Sequence, residues 1–184
     1  MNARRVFPLK NKRITTCTLF SPSIPLFVLL TLISLIGFPT AGFSASSSFM
    51  AEIVAVLDGD TMKVVKARQV IIVRLHGVDA PEKAQQYGEQ AKQFTERAVF
   101  GKRVVINVIG FDQNEHILAE MVLEDGRSLN RELVKAGFAW WNREQSEDLS
   151  LWRLEDKARE EKLGLWLGED PVPPWTFRAS MGHP

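Results

Sequence analysis

Two neighbouring stretches decide the fold: AEIVAVLDGDTMKVV, residues 51–65, and QVIIVRLHGV, residues 69–78. Both are rich in β-branched residues, and in the first the apolar and polar side chains roughly alternate, as in a half-buried strand. The DGD at residues 58–60 is a favoured hairpin turn. These stretches therefore predict three consecutive β-strands.

The rest of the domain adds a helix, two strands and two further helices, in that order. Apolar residues at helical spacing indicate the first helix, and Gly101 suits its end; they are Tyr87, Ala91, Phe94 and Ala98. The strands are KRVVINVI, residues 102–109, and HILAEMVLE, residues 116–124; one helix follows Asn130 and the last spans about 146–162. This order predicts an α+β fold that is mainly β, a five-stranded OB-fold Greek-key barrel with three helices.

Residues 1–46 do not resemble part of this domain. They run from a basic start through an apolar stretch, residues 24–38, to small residues, which is the order of a secretory signal peptide. An uncleaved membrane anchor is the alternative, although the apolar stretch is short for a spanning helix. We expect a cleaved signal peptide with a short linker, a domain over 47–168, and a Pro-rich tail over 169–184 that is extended, whether packed or loose. The protein would then be secreted or periplasmic.

The formal net charge of the whole chain, +1, hides an asymmetry. Five of the 23 basic residues lie in residues 1–13, whereas all 22 acidic residues lie beyond residue 50. Without the signal peptide, 18 basic residues stand against 22 acidic ones, which gives a net charge of −4. A domain of this sign has to bind phosphate through a local basic site or a metal, because its overall field repels polyanions.

Two acidic turns place carboxylates near one another. Asp58 and Asp60 lie in the first hairpin turn, and Asp79 follows the third strand. An acid in such a turn often only hydrogen-bonds its own backbone, and that alternative stays open. In a small barrel, however, Asp60 and Asp79 can lie at one rim, where the two carboxylates repel each other. Ca²⁺ relieves this repulsion, because it accepts carboxylates, a carbonyl and waters in loose geometry.

The stretch RLHGVDAPE, residues 74–82, adds an arginine and another acid to this rim. Arg74 either forms an ion pair there or offers a planar fork that holds a phosphate beside the metal. Pro81 fixes the chain before Glu82, whose carboxylate can take a proton from water near the metal. A metal, an arginine and a general base at one rim predict phosphodiester hydrolysis.

Five segments, in the same order, resemble the staphylococcal nuclease family: VLDGDTMKV, VRLHGVDAPE, YGEQAKQF, LNRELVKAGFAWW and EDKAREEKLGLW. The similarity covers roughly residues 51–167. It implies an OB-fold nuclease that uses Ca²⁺ to cleave DNA and RNA at the 5′ P–O bond, without strong sequence preference. Such an enzyme leaves 3′-phosphate ends.

The resemblance also implies roles for the residues of the acidic rim. Asp60 and Asp79 match the calcium carboxylates, and Ala80 matches the ligand that binds through its backbone carbonyl. The family has threonine at that last position, which alanine can replace because only the carbonyl is used. Arg74 matches the first phosphate-binding arginine, and Glu82 matches the general base.

One segment departs from the family pattern. The family has a second catalytic arginine in a segment of the form D-x-Y-G-R-x-L-A, where this chain reads FDQNEHILAE, residues 111–120. His116 stands at the arginine position, and Glu115 stands where glycine is expected. Histidine is charged only near and below its pKa and offers no fork. The resemblance therefore implies a weaker cation or a general acid at His116, with an uninvolved, exposed histidine as the alternative.

Two adjacent tryptophans, Trp140 and Trp141, follow the predicted second helix. They either pack the core between helices or stack on the bases of a single-stranded substrate. We expect DNA and RNA, preferably single-stranded, to be the partners of a monomeric protein with no obligate protein partner. A nuclease-fold binding module without catalysis is the alternative, favoured by the altered segment around His116 and by the acidic charge.

Overall fold

The computed structural model describes residues 47–182, so the predicted signal peptide lies outside the described residues. The strands are β1 (Ser48–Asp58), β2 (Thr61–Lys66), β3 (Gln69–Leu75), β4 (Val78–Asp79), β5 (Arg103–Phe111), β6 (Ile117–Val122) and β7 (Trp140–Trp141). The helices are α1 (Gly88–Val99), α2 (Leu129–Lys135), α3 (Leu149–Glu160), a 3₁₀ turn (Gly164–Leu167) and α4 (Pro174–Ser180). Every helix in this part of the chain is too short or too polar to span a bilayer.

Five of the strands close into a barrel in the order β1-β2-β3-β6-β5. Neighbours are antiparallel except β3 and β6, which pair in parallel, with Arg74 opposite Leu118. Apolar side chains such as Ile53, Met62 and Val73 are fully buried and fill the interior. Numbered among themselves, the barrel strands run 1-2-3-5-4, so the predicted five-stranded Greek-key barrel is confirmed.

The tail after residue 168 differs from the expectation. Three helices were predicted, whereas residues 47–182 contain four α-helices, and α4 lies in the Pro-rich tail that was expected to be extended. Pro173 is the extended residue before the helix (φ −64°), and Pro174 occupies its first turn, where a missing N–H costs nothing. Pro174 is buried, and Trp175 packs edge-on against Trp140 with ring centroids 6.5 Å apart. The prolines therefore start a helix that docks on the domain.

A sharp corner between β3 and β4 returns the chain to the rim of the barrel. Gly77 turns it with a positive φ of 74°, and a Cβ there would lie 2.8 Å from the Ser146 Cβ. Both backbone polar groups of His76 are bound, because its N–H donates to the Ala119 carbonyl (2.9 Å) and its carbonyl accepts from Asn130 Nδ2 (2.9 Å). This corner lets the residues after β3 face the same rim as the end of β3.

Candidate active site

The β1–β2 turn and the end of β3 bring Asp60 into a defined position at the rim. The Leu75 N–H donates to the Asp60 carbonyl (2.9 Å). The Asp60 carboxylate accepts from the Thr61 hydroxyl (2.8 Å) and from the Ala80 N–H (3.1 Å). The end of β3 thus holds the backbone of Asp60, while Thr61 and Ala80 hold its carboxylate, so the turn is more than a self-bonded Asp-Gly hairpin.

Helix α1 packs against this turn at Gly59. A Cβ on Gly59 would lie 2.8 Å from the Ala80 Cβ and 2.9 Å from the Ala91 Cβ, so no side chain fits there. The buried Thr95 hydroxyl donates to the Gly59 carbonyl (2.5 Å). Packing against α1 therefore fixes the backbone that presents Asp60.

Arg74 joins the two predicted metal carboxylates. Its Nη2 donates to Asp79 Oδ1 at 3.0 Å and lies 3.7 Å from Asp60 Oδ2. Asp60 and Asp79 are only 3% and 1% exposed. The Nε of Arg74 is buried and has no hydrogen-bond partner in the described residues. A buried guanidinium N–H without a protein acceptor is costly, so a water or another oxygen acceptor at this donor would be favourable.

The charges of this rim are only partly balanced. Burial raises the pKa of Asp60 to about 6; the Arg74 charge opposes this effect, and the Asp79 charge adds to it. Burial also raises the pKa of Asp58, and the charge of Glu82 raises it further. Asp60 and Asp58 are therefore carboxyl groups for which an additional cation in the rim is favourable.

Glu82 stands at the start of the loop that leads to α1. Its backbone N–H donates to Gln85 Oε1 (3.0 Å), and its carbonyl accepts from the Gln85 N–H (2.8 Å). A Cβ on Gly88 would clash with the Glu82 carbonyl, so the glycine permits a tight turn. The Glu82 side chain stays one third exposed (34%), which leaves a carboxylate that water can reach.

Arg178, on α4, is the site residue that the sequence analysis missed. Its Nη2 donates to Asp79 Oδ2 (2.7 Å), and its Nη1 donates to Asp79 Oδ1 (3.2 Å) and to Glu82 Oε1 (2.8 Å). These bonds place a second guanidinium beside Arg74, on the other side of Asp79. No local pattern could have indicated this, because Arg178 follows a Pro-rich tail far along the chain.

His116 reaches the same rim from the β5–β6 loop. It lines a cavity of about 250 Å³ together with Asp60, Arg74 and Glu82. Its Nδ1 lies 2.9 Å from Asp112 Oδ2, and its backbone N–H donates to Asp112 Oδ1 (2.9 Å). The predicted position of His116 at the site therefore agrees with the structure, but its ring is already paired with a carboxylate.

A family model described as staphylococcal nuclease homologue matches residues 72–168. The chain belongs to this family. An Escherichia coli protein named as an uncharacterized endonuclease is 40% identical over 126 residues, covering 68% of this chain and 82% of that protein. A Shigella flexneri protein named micrococcal nuclease is 33% identical over 144 residues, covering 73% and 83%. An Escherichia coli protein named ParB is 32% identical over 149 residues, covering 76% and 84%.

Members of the staphylococcal nuclease family in general use Ca²⁺, which raises the question of whether the rim residues could bind such an ion. Within residues 47–182, no group of three or more His, Cys, Asp or Glu side chains is arranged to hold a metal ion. Asp60 and Asp79 nevertheless supply two buried carboxylates bridged by one Arg74 nitrogen, and Asp60 keeps a raised pKa despite that arginine. This donor chemistry fits a hard divalent cation completed by the Ala80 carbonyl and by water.

The two tryptophans proposed as base-stacking residues lie in the interior of this staphylococcal nuclease homologue. Trp140 is 3% exposed and Trp141 is 9% exposed. Trp140 packs edge-on against Trp166, with ring centroids 5.4 Å apart, and the indole N–H of Trp141 donates to the Ser146 carbonyl (3.0 Å). Their burial agrees with the packing alternative, because a base cannot stack on a ring that has no open face.

Proposed function

We propose that the protein is a Ca²⁺-dependent nuclease that hydrolyses phosphodiester bonds of DNA and RNA without strong sequence preference and leaves 3′-phosphate ends. The observation that carries this proposal is the convergence of Asp60, Arg74, Asp79 and Glu82 at one barrel rim in a member of a nuclease family. Single-stranded substrates suit this site, because their flexible backbone can enter the cavity of about 250 Å³ that Arg74 and Glu82 line.

In the proposed reaction, Glu82 accepts a proton from the attacking water. Arg178 binds Oε1 of Glu82, so Oε2 is the oxygen that faces that water. The water oxygen forms a bond to phosphorus, the bond to the 5′ oxygen breaks, and that oxygen takes up a proton to leave as a 5′ hydroxyl. The cation would be held by Asp60, Asp79 and the Ala80 carbonyl; it would lower the pKa of nearby water and neutralise phosphate charge.

Arg74 binds the phosphate in this scheme. Its Nε is the buried donor without a partner, and a phosphate oxygen there would receive a charge-assisted hydrogen bond. His116 lies across the same cavity and, when protonated, can donate a hydrogen bond to the leaving oxygen. Its pairing with Asp112 makes this a secondary contribution.

A nuclease-fold binding module without catalysis is the second candidate. One observation favours it: Arg178 covers both carboxylate oxygens of Asp79 and one oxygen of Glu82. A guanidinium at Asp79 competes with a cation for the same carboxylate oxygens, which weakens metal binding. This candidate would bind nucleic acid in a salt-dependent manner and cleave none.

The N-terminal segment supports a proposal about location. We infer that residues 1–46 are a signal peptide that is removed on export to the periplasm or the medium, because of their basic, apolar and small-residue order. Mass spectrometry of the purified protein's N-terminus tests this. A mature N-terminus near residue 43 or 47 agrees with cleavage, and an intact N-terminus in the membrane fraction indicates an anchor.

The decisive experiment is cleavage of end-labelled single-stranded DNA by the purified mature protein. Ca²⁺ and a chelator are compared, with Glu82→Gln as the variant that keeps the size and hydrogen bonds of Glu82. Cleavage that needs Ca²⁺ and disappears in Glu82→Gln supports the nuclease. Product ends that gain a 3′ hydroxyl on phosphatase treatment support the proposed bond. Binding without cleavage selects the second candidate.

A further inference from the structure

The Arg178 guanidinium of helix α4 binds two carboxylates of the rim. Nη1 and Nη2 each donate one hydrogen to the Asp79 carboxylate, and Nη1 donates its second hydrogen to Glu82. A guanidinium has five N–H donors. Three of them are used in these contacts, and two remain, the Nε hydrogen and one Nη2 hydrogen.

These two donors are neighbours on one edge of the guanidinium plane. They have no partner within residues 47–182, and the side chain is 26% exposed. Two parallel N–H groups on one edge match two oxygens of a phosphate group, which is the fork geometry that lysine and histidine lack. The carboxylates of Asp79 and Glu82 therefore fix Arg178 in place and leave its phosphate-binding edge free.

Arg178 and Arg74 border different sides of Glu82. Arg74 lines the cavity of about 250 Å³ described above. Arg178 lines a neighbouring cleft of about 480 Å³, together with Lys83 and Phe177. Asp58 and Glu82 border both, so a phosphodiester placed at Glu82 lies between two guanidinium groups.

The charge of the rim favours a second arginine for a polyanionic substrate, in addition to the proposed cation. Asp58, Asp60 and Glu82 line the two cavities, and the buried Asp79 lies beside them, bound by both arginines. Arg74 alone leaves most of this negative charge unbalanced, and His116 already shares its ring nitrogen with Asp112. A phosphate would be repelled from such a rim unless further positive charge accompanies it.

We infer that Arg178 is a second phosphate-binding arginine of this active site, supplied by the C-terminal helix, and that it contacts the scissile phosphodiester from the side opposite Arg74. This inference rests on the proposed nuclease function. Helix α4 would then supply the two-donor guanidinium edge that the β5–β6 loop lacks, because that loop carries His116 instead of an arginine.

Two contacts fix the position of α4 relative to the loop that begins at Glu82. Gln85 accepts from the Glu82 N–H through Oε1 (3.0 Å), while its Nε2 donates to the Val172 carbonyl (2.8 Å). Trp175 packs edge-on against the buried Trp140. The loop of the general base and the segment that carries Arg178 are thus tied together, which is the positioning that a catalytic arginine needs.

The first test measures kcat/KM for single-stranded DNA with Ca²⁺ in Arg178→Ala and Arg178→Lys. Arg153→Ala, which removes an exposed arginine on α3, is the matched control. We expect a loss of about 10²-fold in Arg178→Ala, the scale of one lost donor to a transition-state charge. Arg178→Lys should recover little of it because lysine lacks the fork. The thermal unfolding midpoint shows that each variant is folded.

The second test does not depend on turnover. DNA binding is measured against salt concentration in the Glu82→Gln background, with and without Arg178→Ala. The slope of log affinity against log salt should fall by about 0.7, the value for one phosphate contact with a single strand. Arg153→Ala should leave the slope unchanged.

Three outcomes overturn the inference. Faster cleavage by Arg178→Ala would make Arg178 a blocking group that competes with the cation. Unchanged cleavage, or an unchanged salt slope, would make it a purely structural ion pair. If the protein with Arg178 intact cleaves no DNA, the proposed function fails, but the salt slope still decides whether Arg178 binds phosphate.

Discussion

Charged side chains reach the site from two regions, the segment Arg74–Glu82 and helix α4. The two regions differ in how their charges are positioned. The segment brings Arg74, Asp79 and Glu82 together within nine residues of chain. Its geometry follows from barrel pairing, since Arg74 sits opposite both Thr61 and Leu118.

Helix α4 contributes a single charge from far away. Arg178 follows Asp79 by 99 residues along the chain and reaches it only because α4 docks on the domain. Its position depends on tertiary contacts of Trp175 and Val172 rather than on strand register. The proposed reacting groups of this site are therefore positioned by local sequence and strand pairing, whereas the balance of charge around them depends on long-range packing.

The largest effect should come from the local segment. Glu82→Gln should lower kcat by about 10³-fold, within the range attributed to general base catalysis. Glu160→Gln, an exposed change on α3, is the control and should leave kcat unchanged. Single-turnover rates on labelled DNA measure the effect. If Glu82→Gln retained a tenth of the rate, another group would be the general base. The largest contribution would then not come from the segment Arg74–Glu82.

The next effect tests whether the two arginines act on one phosphate. Arg74→Lys alone should lower kcat/KM by about 10²-fold, because lysine cannot reproduce the buried Nε donor. Combined with Arg178→Lys, the loss should be smaller than the product of the two single losses, since groups acting on one phosphate are coupled. Losses that simply multiplied would place the two arginines on different parts of the substrate.

A smaller effect concerns stability and pH. A carboxyl group whose pKa rises on folding holds its proton more tightly in the folded state, so its contribution to stability is lost as pH rises from 3.8 to about 6. Asp60→Asn removes this cost and should stabilise the metal-free protein at pH 7.5 by about 1–3 kcal/mol. The gain should vanish near pH 4. Urea unfolding with chelator at both pH values measures it, and an equal gain at both would contradict it.

The smallest effect concerns the loop that holds His116. His116→Arg places a permanent charge in the cavity beside Arg74, although Asp112 competes for it. We expect kcat/KM to rise about threefold, because the free energy of a partly exposed ion pair corresponds to a factor of this size. A fall in rate would show that the histidine donates a proton to the leaving oxygen.

Much of the fold and the acidic rim could be predicted from sequence because short-range signals encode them. Alternating β-branched residues and the turn at Asp58–Asp60 predicted the strands, and RLHGVDAPE predicted the charges that face Asp60. Barrel closure then brought Asp60 and Asp79 together as expected.

The remainder depended on packing that no short pattern reveals. Pro173 and Pro174 favoured an extended tail, but buried contacts of Pro174 and Trp175 select a helix instead. Arg178 therefore lies where the sequence indicated no site. Burial likewise favours the packing alternative for Trp140 and Trp141, which composition alone left open.

The order of the elements along the chain has a consequence for protein synthesis. All five barrel strands lie between Ser48 and Val122, whereas Arg178 follows every other element that contacts the site. Folding during translation proceeds from the N-terminal side. The barrel can thus close on a ribosome-bound chain while the guanidinium of α4 is still unsynthesised. If Arg178 has the inferred role, the nascent chain would lack part of its phosphate-binding site while it is still surrounded by ribosomal RNA.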